Sequence, residues 1–281
     1  MRGAQPAGAG PEPGPGGYAD VNGLRMYYEV HGKGKPLVLL HGALSTIGTS
    51  FGATAARLAT TRMVIAVEQQ GHGRTADGPR PLSVRGMADD TAALLARLGV
   101  GHADFFGYSM GAAIAVELAI RRPELVRRLV LASVSVSKAG LDPGILEVIE
   151  TVEPEALAGS PFEQDYLRIA PDPGGWPALV AKNAELDRQL PEIDPEVVRS
   201  IRAPALIIIG DSDIIMPEHA VQMFRLFGGG AVGDVAGLPD SQLAILPGTS
   251  HQMVASRADL LAVMIPQFLD APAGRARRPP G

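Results

Sequence analysis

The sequence predicts an α/β fold: a mostly parallel sheet with helices on both faces and a helical cap inserted late in the chain. Three observations predict it. Short apolar runs recur as candidate buried strands, and amphipathic segments alternate with them. The rhythm breaks once, between Ser137 and Arg202, in a stretch studded with proline. Apolar strands without polar alternation need cover on both faces, which crossover helices between parallel strands supply.

Taken in order, residues 1–17 combine Pro, Gly and Ala and are expected to form a disordered tail. Leu24–Val30 alternates like an exposed strand, whereas Pro36–Leu40 and Arg62–Val67 read as buried ones. Ser83 is placed to cap a helix whose apolar positions Val84, Met87, Ala88, Leu94, Leu95 and Leu98 keep the helical period. Ala103–Phe106 is the next strand, and the helix after it stops at Pro123. Leu129–Val136, Ala205–Ile209 and Leu243–Leu246 are the remaining strands, and Ala258–Leu269 is the last helix. The core domain is therefore expected at 18–136 and 203–270, with a second disordered tail at 271–281. The stretch 137–202 is expected to be a cap, because a structureless loop of that length is unusual in a compact domain.

The 281 residues carry a formal charge of −5, with no basic field to suggest a nucleic-acid partner. There are no cysteines, which excludes disulfides, Cys-ligated metals and a Cys nucleophile. No apolar run is long enough to span a bilayer, and the first residues lack the apolar segment of a secretory signal. The expectation is a cytoplasmic monomer or homodimer, without membrane insertion or a bound metal, acting on a small molecule.

In open α/β sheets ligands bind at the carboxyl ends of the strands, so catalytic residues should follow strands. One motif does so. Gly107-Tyr108-Ser109-Met110-Gly111 lies between an apolar strand and an amphipathic helix. A G-x-S-x-G pattern is weak alone; between strand and helix it becomes a nucleophile elbow, a sharp turn that lifts the serine oxygen clear of the sheet. A serine hydroxyl needs a base to take its proton. Of six histidines, His31 and His102 precede strands, and His219 reads as a surface residue at a helix start. His251, in the turn-rich loop after the last strand, is the best base. A carboxylate must then orient the imidazole. Asp211 and Asp213 both follow the strand Ala205–Ile209; Asp213 lies further into the loop and is preferred, while Asp211 suits shaping the turn.

Acyl transfer also needs donors aimed at a developing oxyanion. The backbone N–H of Met110 is one candidate, and that of Ala43, in His41-Gly42-Ala43 after the strand Pro36–Leu40, is the other. His41 is expected to buttress this loop, and His72, in Gly71-His72-Gly73, to hold a turn. His41, Gly42 and Tyr108 flank the candidate substrate site, and Phe162, Trp176, Leu179 and Met216 offer apolar surface to a substrate. Arg168 and Lys182 read as solvated charges rather than a carboxylate clamp.

His41-Gly42, Gly71-His72-Gly73, the elbow at Ser109, Gly210-Asp211-Ser212-Asp213 and His251, in this order, resemble the α/β-hydrolase superfamily over about Leu24–Leu269. The resemblance implies an eight-stranded, mostly parallel sheet, a cap after the sixth strand and no cofactor. It implies an esterase, lactonase, C–C hydrolase or cofactor-free perhydrolase, since relatives with Asp at the elbow are the dehalogenases and epoxide hydrolases. Glu68-Gln69-Gln70 departs from the Asp and Arg that many relatives carry before Gly-His-Gly. The leading expectation is a carboxylic ester hydrolase acting on an uncharged or weakly anionic substrate with an apolar portion. A non-catalytic binding protein on the same fold is the rival from another class.

Overall fold

The computed structural model describes residues 14–190 and 192–272. Eight strands form one sheet: β1 (Gly14–Val21), β2 (Leu24–His31), β3 (Lys35–Leu40), β4 (Arg62–Val67), β5 (Ala103–Tyr108), β6 (Val126–Ala132), β7 (Ala205–Ser212) and β8 (Gln242–Ser250). Their spatial order is β1-β2-β4-β3-β5-β6-β7-β8. The β1–β2 and β2–β4 pairs are antiparallel; every pair from β4 onward is parallel.

The alternation of side chains along a strand sorts the core into two layers. Leu37, Leu39, Val64, Phe106 and Ile208 face α1 (Ile47–Leu58) and, near the end of the chain, Ala258–Asp270. Val38, Leu40, Ile65, Phe105 and Ile207 face α2 (Val84–Arg97) and α3 (Met110–Arg121) on the other side. Ser83 caps α2 as its position predicts, accepting a hydrogen bond from Gly86 N.

Two expectations are corrected at the amino end. The tail was expected to run to residue 17, but Gly14–Gly17 belong to β1; residues 1–13 lie outside the described residues. Pairing with β2 satisfies the backbone there, with an irregular register between Gly14 and Gly17 on this edge strand. Asn22 (φ 48°) and Gly23 (φ 82°) close the two-residue hairpin between β1 and β2. Positive φ at both residues is the turn that matches strand twist, and Asn-Gly is its preferred pair. Consequently β2 is not exposed: it lies between β1 and β4, with Met26 fully buried. At the other end of the chain, 273–281 lie outside the described residues.

The third correction concerns β6, which stops at Ala132 rather than Val136. Ser133 turns the chain there with a left-handed φ of 54°. Between β6 and β7 come α4 (Pro143–Glu150), α5 (Pro161–Ile169), α6 (Trp176–Arg188) and α7 (Pro195–Ser200). Helix α7 packs against α3 and against α8 (Pro217–Leu226), alongside the core. Two contacts tie the other helices down. Thr46 Oγ1 donates to Asp165 Oδ2 of α5 at 2.6 Å, and Lys182 Nζ of α6 pairs with Asp77 Oδ2 at 2.6 Å. After β7 and α8 the chain forms α9 (Gly233–Ala236), β8, α10 (His251–Val254) and α11 (Ala258–Asp270). Among the described residues, no helix is long and apolar enough to cross a membrane.

Candidate active site

Ser109 sits between β5 and α3 with φ 52° and ψ −119°, a strained backbone for a residue with a side chain. The fold over-determines it. Ser109 N donates to Ala132 O at 2.8 Å, and Ser109 O accepts from Ala112 N and Ala113 N. The flanking glycines are steric requirements. A Cβ on Gly107 would lie 2.3 Å from Gly111 O, and one on Gly111 would lie 1.9 Å from Leu40 O. At these two glycines the elbow meets α3 and β3 with backbone against backbone.

From Ser109 a relay runs across the carboxyl ends of the strands. Ser109 Oγ lies 3.1 Å from His251 Nε2. His251 Nδ1 lies 2.7 Å from Asp213 Oδ1. The carboxylate is fully buried and well supplied with donors. Ser133 Oγ donates to Oδ2 at 2.6 Å and Gly210 N at 3.2 Å, while Ile215 N donates to Oδ1 at 3.2 Å. Burial pushes the Asp213 pKa up, but the hydrogen bond and charge of His251, with the Ser133 and Gly210 hydrogen bonds, outweigh it and hold the pKa below the usual carboxylate value. Asp211 takes the part its position suggests. It accepts Gly248 N at 2.8 Å and Thr249 N at 3.1 Å, fixing the loop that leads to His251. Arg257 NH1 braces the same loop through Thr249 Oγ1 at 2.6 Å.

A cavity opens beside Ser109, and Ala43, Met110 and His251 all line it. Met110 is the first residue of α3, where a backbone N–H has no acceptor within the helix, and no side chain caps that end. The rest of the wall is mainly apolar: Val84, Ala113 and Val134 from the core, Leu141, Ile149, Leu186 and Leu190 from the helical insertion, and Ile214 and Ile215 after β7. Its further polar residues are Ser133, Ser135 and Asp187.

Several sequence-based candidates lie elsewhere. Trp176 is 3% exposed and packs on Tyr166, with ring centroids 5.5 Å apart, so it is core rather than cavity wall. Leu179, also 3% exposed, is buried within α6. Phe162 packs against the core from α5, and Met216, the residue before α8, is half-buried; neither lines the cavity. Tyr108 is a positioning residue. Its hydroxyl donates to His251 O at 3.0 Å, and its ring leaves no space at Gly42, where a Cβ would lie 2.8 Å from it. Burial, and then the charge of Asp213, raise the Tyr108 pKa, so the phenol stays protonated. Gly42 is thus a packing position beneath Tyr108.

His41 is fully buried, with both ring nitrogens engaged. Nδ1–H donates to Gly42 O at 2.8 Å, and Nε2 accepts from Gln69 N at 3.0 Å. It therefore binds two loops together rather than a substrate. Burial, then the neighbouring His72, push its pKa down to about 3. His72 is also fully buried, at about 4 by burial, and Nδ1 lies 2.9 Å from Gln70 O. The divergent Glu68-Gln69-Gln70 stretch braces this region. Gln69 Nε2 donates to Thr91, Gln70 binds Asp77 and Arg80, and Glu68 pairs with Arg74 at 3.0 Å. His219 is not the surface residue expected. It is 5% exposed, with Nε2 2.9 Å from Ser135 Oγ and 3.3 Å from Val136 N. Among the described residues, no group of three or more His, Asp and Glu is placed to hold a metal ion.

A mostly parallel sheet with a serine elbow at the end of β5, and a His and an Asp on later loops at the same edge, defines a class of α/β proteins. Sequence comparison names the family: the alpha/beta hydrolase family profile matches residues 37–263, and the chain belongs to that family. The 2-(acetamidomethylene)succinate hydrolase of Mesorhizobium japonicum is 26% identical over 273 residues, covering 90% of this chain and 94% of that protein. Among solved structures, the meta-cleavage product hydrolase of Pseudomonas fluorescens IP01 superimposes with a TM-score of 0.73 at 19% identity, over 89% of this chain and 96% of that one. The enol-lactonase of Burkholderia xenovorans LB400 gives 0.68 at 20% identity, over 90% and 100%.

Proposed function

We propose that the protein is a cofactor-independent serine hydrolase that cleaves a carboxylic ester or lactone through an acyl-enzyme. The observation that carries this is the unbroken relay Ser109–His251–Asp213, at 3.1 and 2.7 Å, opening on an apolar cavity. Ser109 Oγ attacks the carbonyl carbon while His251 Nε2 takes its proton. Asp213, ionised and held by Ser133 and Gly210, keeps the Nδ1–H tautomer and stabilises the imidazolium. The N–H groups of Ala43 and Met110 receive the oxyanion. His251 returns the proton to the leaving alkoxide, which departs as the alcohol. Water, deprotonated by His251, then releases the acid and restores Ser109.

The tests are turnover of p-nitrophenyl butyrate and labelling by a fluorophosphonate. The chain should turn over the ester, and the probe should modify Ser109. Ser109→Ala should abolish labelling and lower kcat by about a millionfold. An unchanged rate in that variant removes the assignment. A folded chain that neither labels nor turns over any ester, yet binds a small ligand, is a binding protein instead. The same relay can serve perhydrolysis or C–C cleavage, so a peroxide-dependent bromination assay and a vinylogous diketone belong in the panel.

A further inference from the structure

Among the described residues lining the cavity beside Ser109, one carries a carboxyl group, and the relay does not use it. Asp187 lies in the last turn of α6, between Leu186 and the nearby Leu190, and all three line the cavity. The other acidic groups around it have partners. Asp213 receives the donors described above. Glu150, on α4, pairs with Lys138, and Glu185 pairs with Arg188 at 3.0 Å. Asp187 makes no side-chain hydrogen bond or ion pair with any described residue. The Asp187 carboxylate has apolar neighbours on the cavity wall and is left to water for its hydrogen bonds, so a ligand that displaces that water must bring a donor in its place. Among the described residues, the cavity wall contains no Lys or Arg. Arg168 pairs with Asp165, and Lys182 is spent on Asp77, Gly78 O and Arg80 O. A negative group on the substrate would thus meet Asp187 with no Lys or Arg among the described wall residues to receive it.

We propose that Asp187 is the specificity-determining residue of this cavity, accepting a hydrogen bond from an amino or hydroxyl group of the substrate and disfavouring a carboxylate there. This rests on the serine-hydrolase reading; of the expected uncharged or weakly anionic substrate it keeps the uncharged form, adds a cationic one and drops the anionic one. Burial raises the Asp187 pKa to about 7, reinforced by Glu150 and opposed by Lys138 and Arg188. Discrimination by charge is therefore set near neutral pH. The ionised form favours an ammonium group, while the protonated form tolerates an anion.

Two separate readouts distinguish the proposal from the reading beneath it. Hydrolysis of p-nitrophenyl heptanoate by the unsubstituted chain tests the hydrolase alone. Equilibrium binding of hexylammonium, hexanol and hexanoate to Ser109→Ala tests Asp187 whether or not the ester is cleaved. Hexylammonium should bind about tenfold more tightly than hexanoate at pH 8, the worth of one charge-assisted hydrogen bond. Adding Asp187→Asn should bring that ratio down to about one, with hexanol affected less than hexylammonium. The ratio should rise with pH through about 7. That step should be absent with Asp187→Asn, which ties it to this side chain. Glu150→Gln should move the step to lower pH, because it removes a like charge and frees Lys138. A ratio that Asp187→Asn leaves unchanged, or a preference for hexanoate at pH 8, overturns the proposal.

Discussion

Ser133 Oγ donates to Asp213 Oδ2 at 2.6 Å, and it does so from a left-handed backbone with φ 54°. The strained serine after β6 and the carboxylate after β7 thus hold each other on adjacent strands. Ser133→Ala keeps the backbone requirement and deletes the bond. The folded-state pKa of Asp213 lies below its value of 3.8 in the free residue. Its contribution to stability is therefore present above that value and lost as pH falls through the folded pKa. Removing the donor raises the folded pKa, so acid unfolding followed by circular dichroism should begin at higher pH. The variant should lose about 2 kcal/mol near neutrality, the scale of a hydrogen bond to a charge. Ser133→Gly should lose less, since glycine accepts positive φ without strain.

The neighbouring aspartates should separate cleanly in kinetics. Asp213→Asn should lower kcat about ten-thousandfold by spoiling the tautomer of His251. Asp211→Asn loosens the Gly248–Thr249 turn but leaves the relay intact. It should cost about tenfold, short of the roughly hundredfold that an ångström of misplacement brings. A comparable loss in both variants would give the acid role no preference for Asp213.

His41 and His72 should be silent to pH. With folded pKa values of about 3 and about 4 against 6.5 for free imidazole, both stay neutral in the native state. Their ring nitrogens, followed by nuclear magnetic resonance, should show no titration between about pH 5 and 9. The linkage runs against the native state. The unfolded chain takes up these protons first, so stability is lost as pH falls below about 6.5. A midpoint near 6.5 for either ring would contradict the burial seen here.

Two glycine substitutions should have opposite signs. Gly111→Ala places a Cβ 1.9 Å from Leu40 O and should cost about 3 kcal/mol in urea unfolding through overpacking. Gly52, exposed within α1, has nothing within 4 Å of its Cβ position. Gly52→Ala should stabilise by about 0.5–1 kcal/mol through helix propensity.

The elbow was legible because its chemistry and its steric needs leave the same mark, glycines around a serine between a strand and a helix. His251 and Asp213 were legible by position, each on a loop after a strand. Ser133 was not, because its contribution lies in a backbone angle and a bond to a residue far along the chain. Strand β1 hid within Pro and Gly composition, although Asn22-Gly23 between Val21 and Leu24 was a hairpin signal in plain view. Helix α1 also went unread. Gly48, Gly52 and three hydroxyl residues mask it, but Phe51, Ala55 and Leu58 keep the buried spacing, and Thr46 with Thr49 forms its capping box. Trp176 and Phe162 were read as cavity wall because composition cannot distinguish an apolar side chain packed in the core from one facing a cavity. Asp187 carried no pattern at all; only the fold shows that its neighbours have partners and that it has none among the described residues.

The insertion between β6 and β7 leaves and rejoins the sheet at two stitched points. Ser133 binds Asp213, and Leu141 bridges to Ile215, with Asp142 N donating to Ile214 O at 2.9 Å. Asp213 is thereby anchored independently of the helices that the insertion contains. Loop length alone costs little once the ends are pinned, each doubling adding only about 0.6 kcal/mol. A graft between these stitches that keeps the ties to Thr46 and Asp77 and the core face of α6 should therefore exchange Asp187 and its cavity neighbours while Ser109, His251 and Asp213 stay in register.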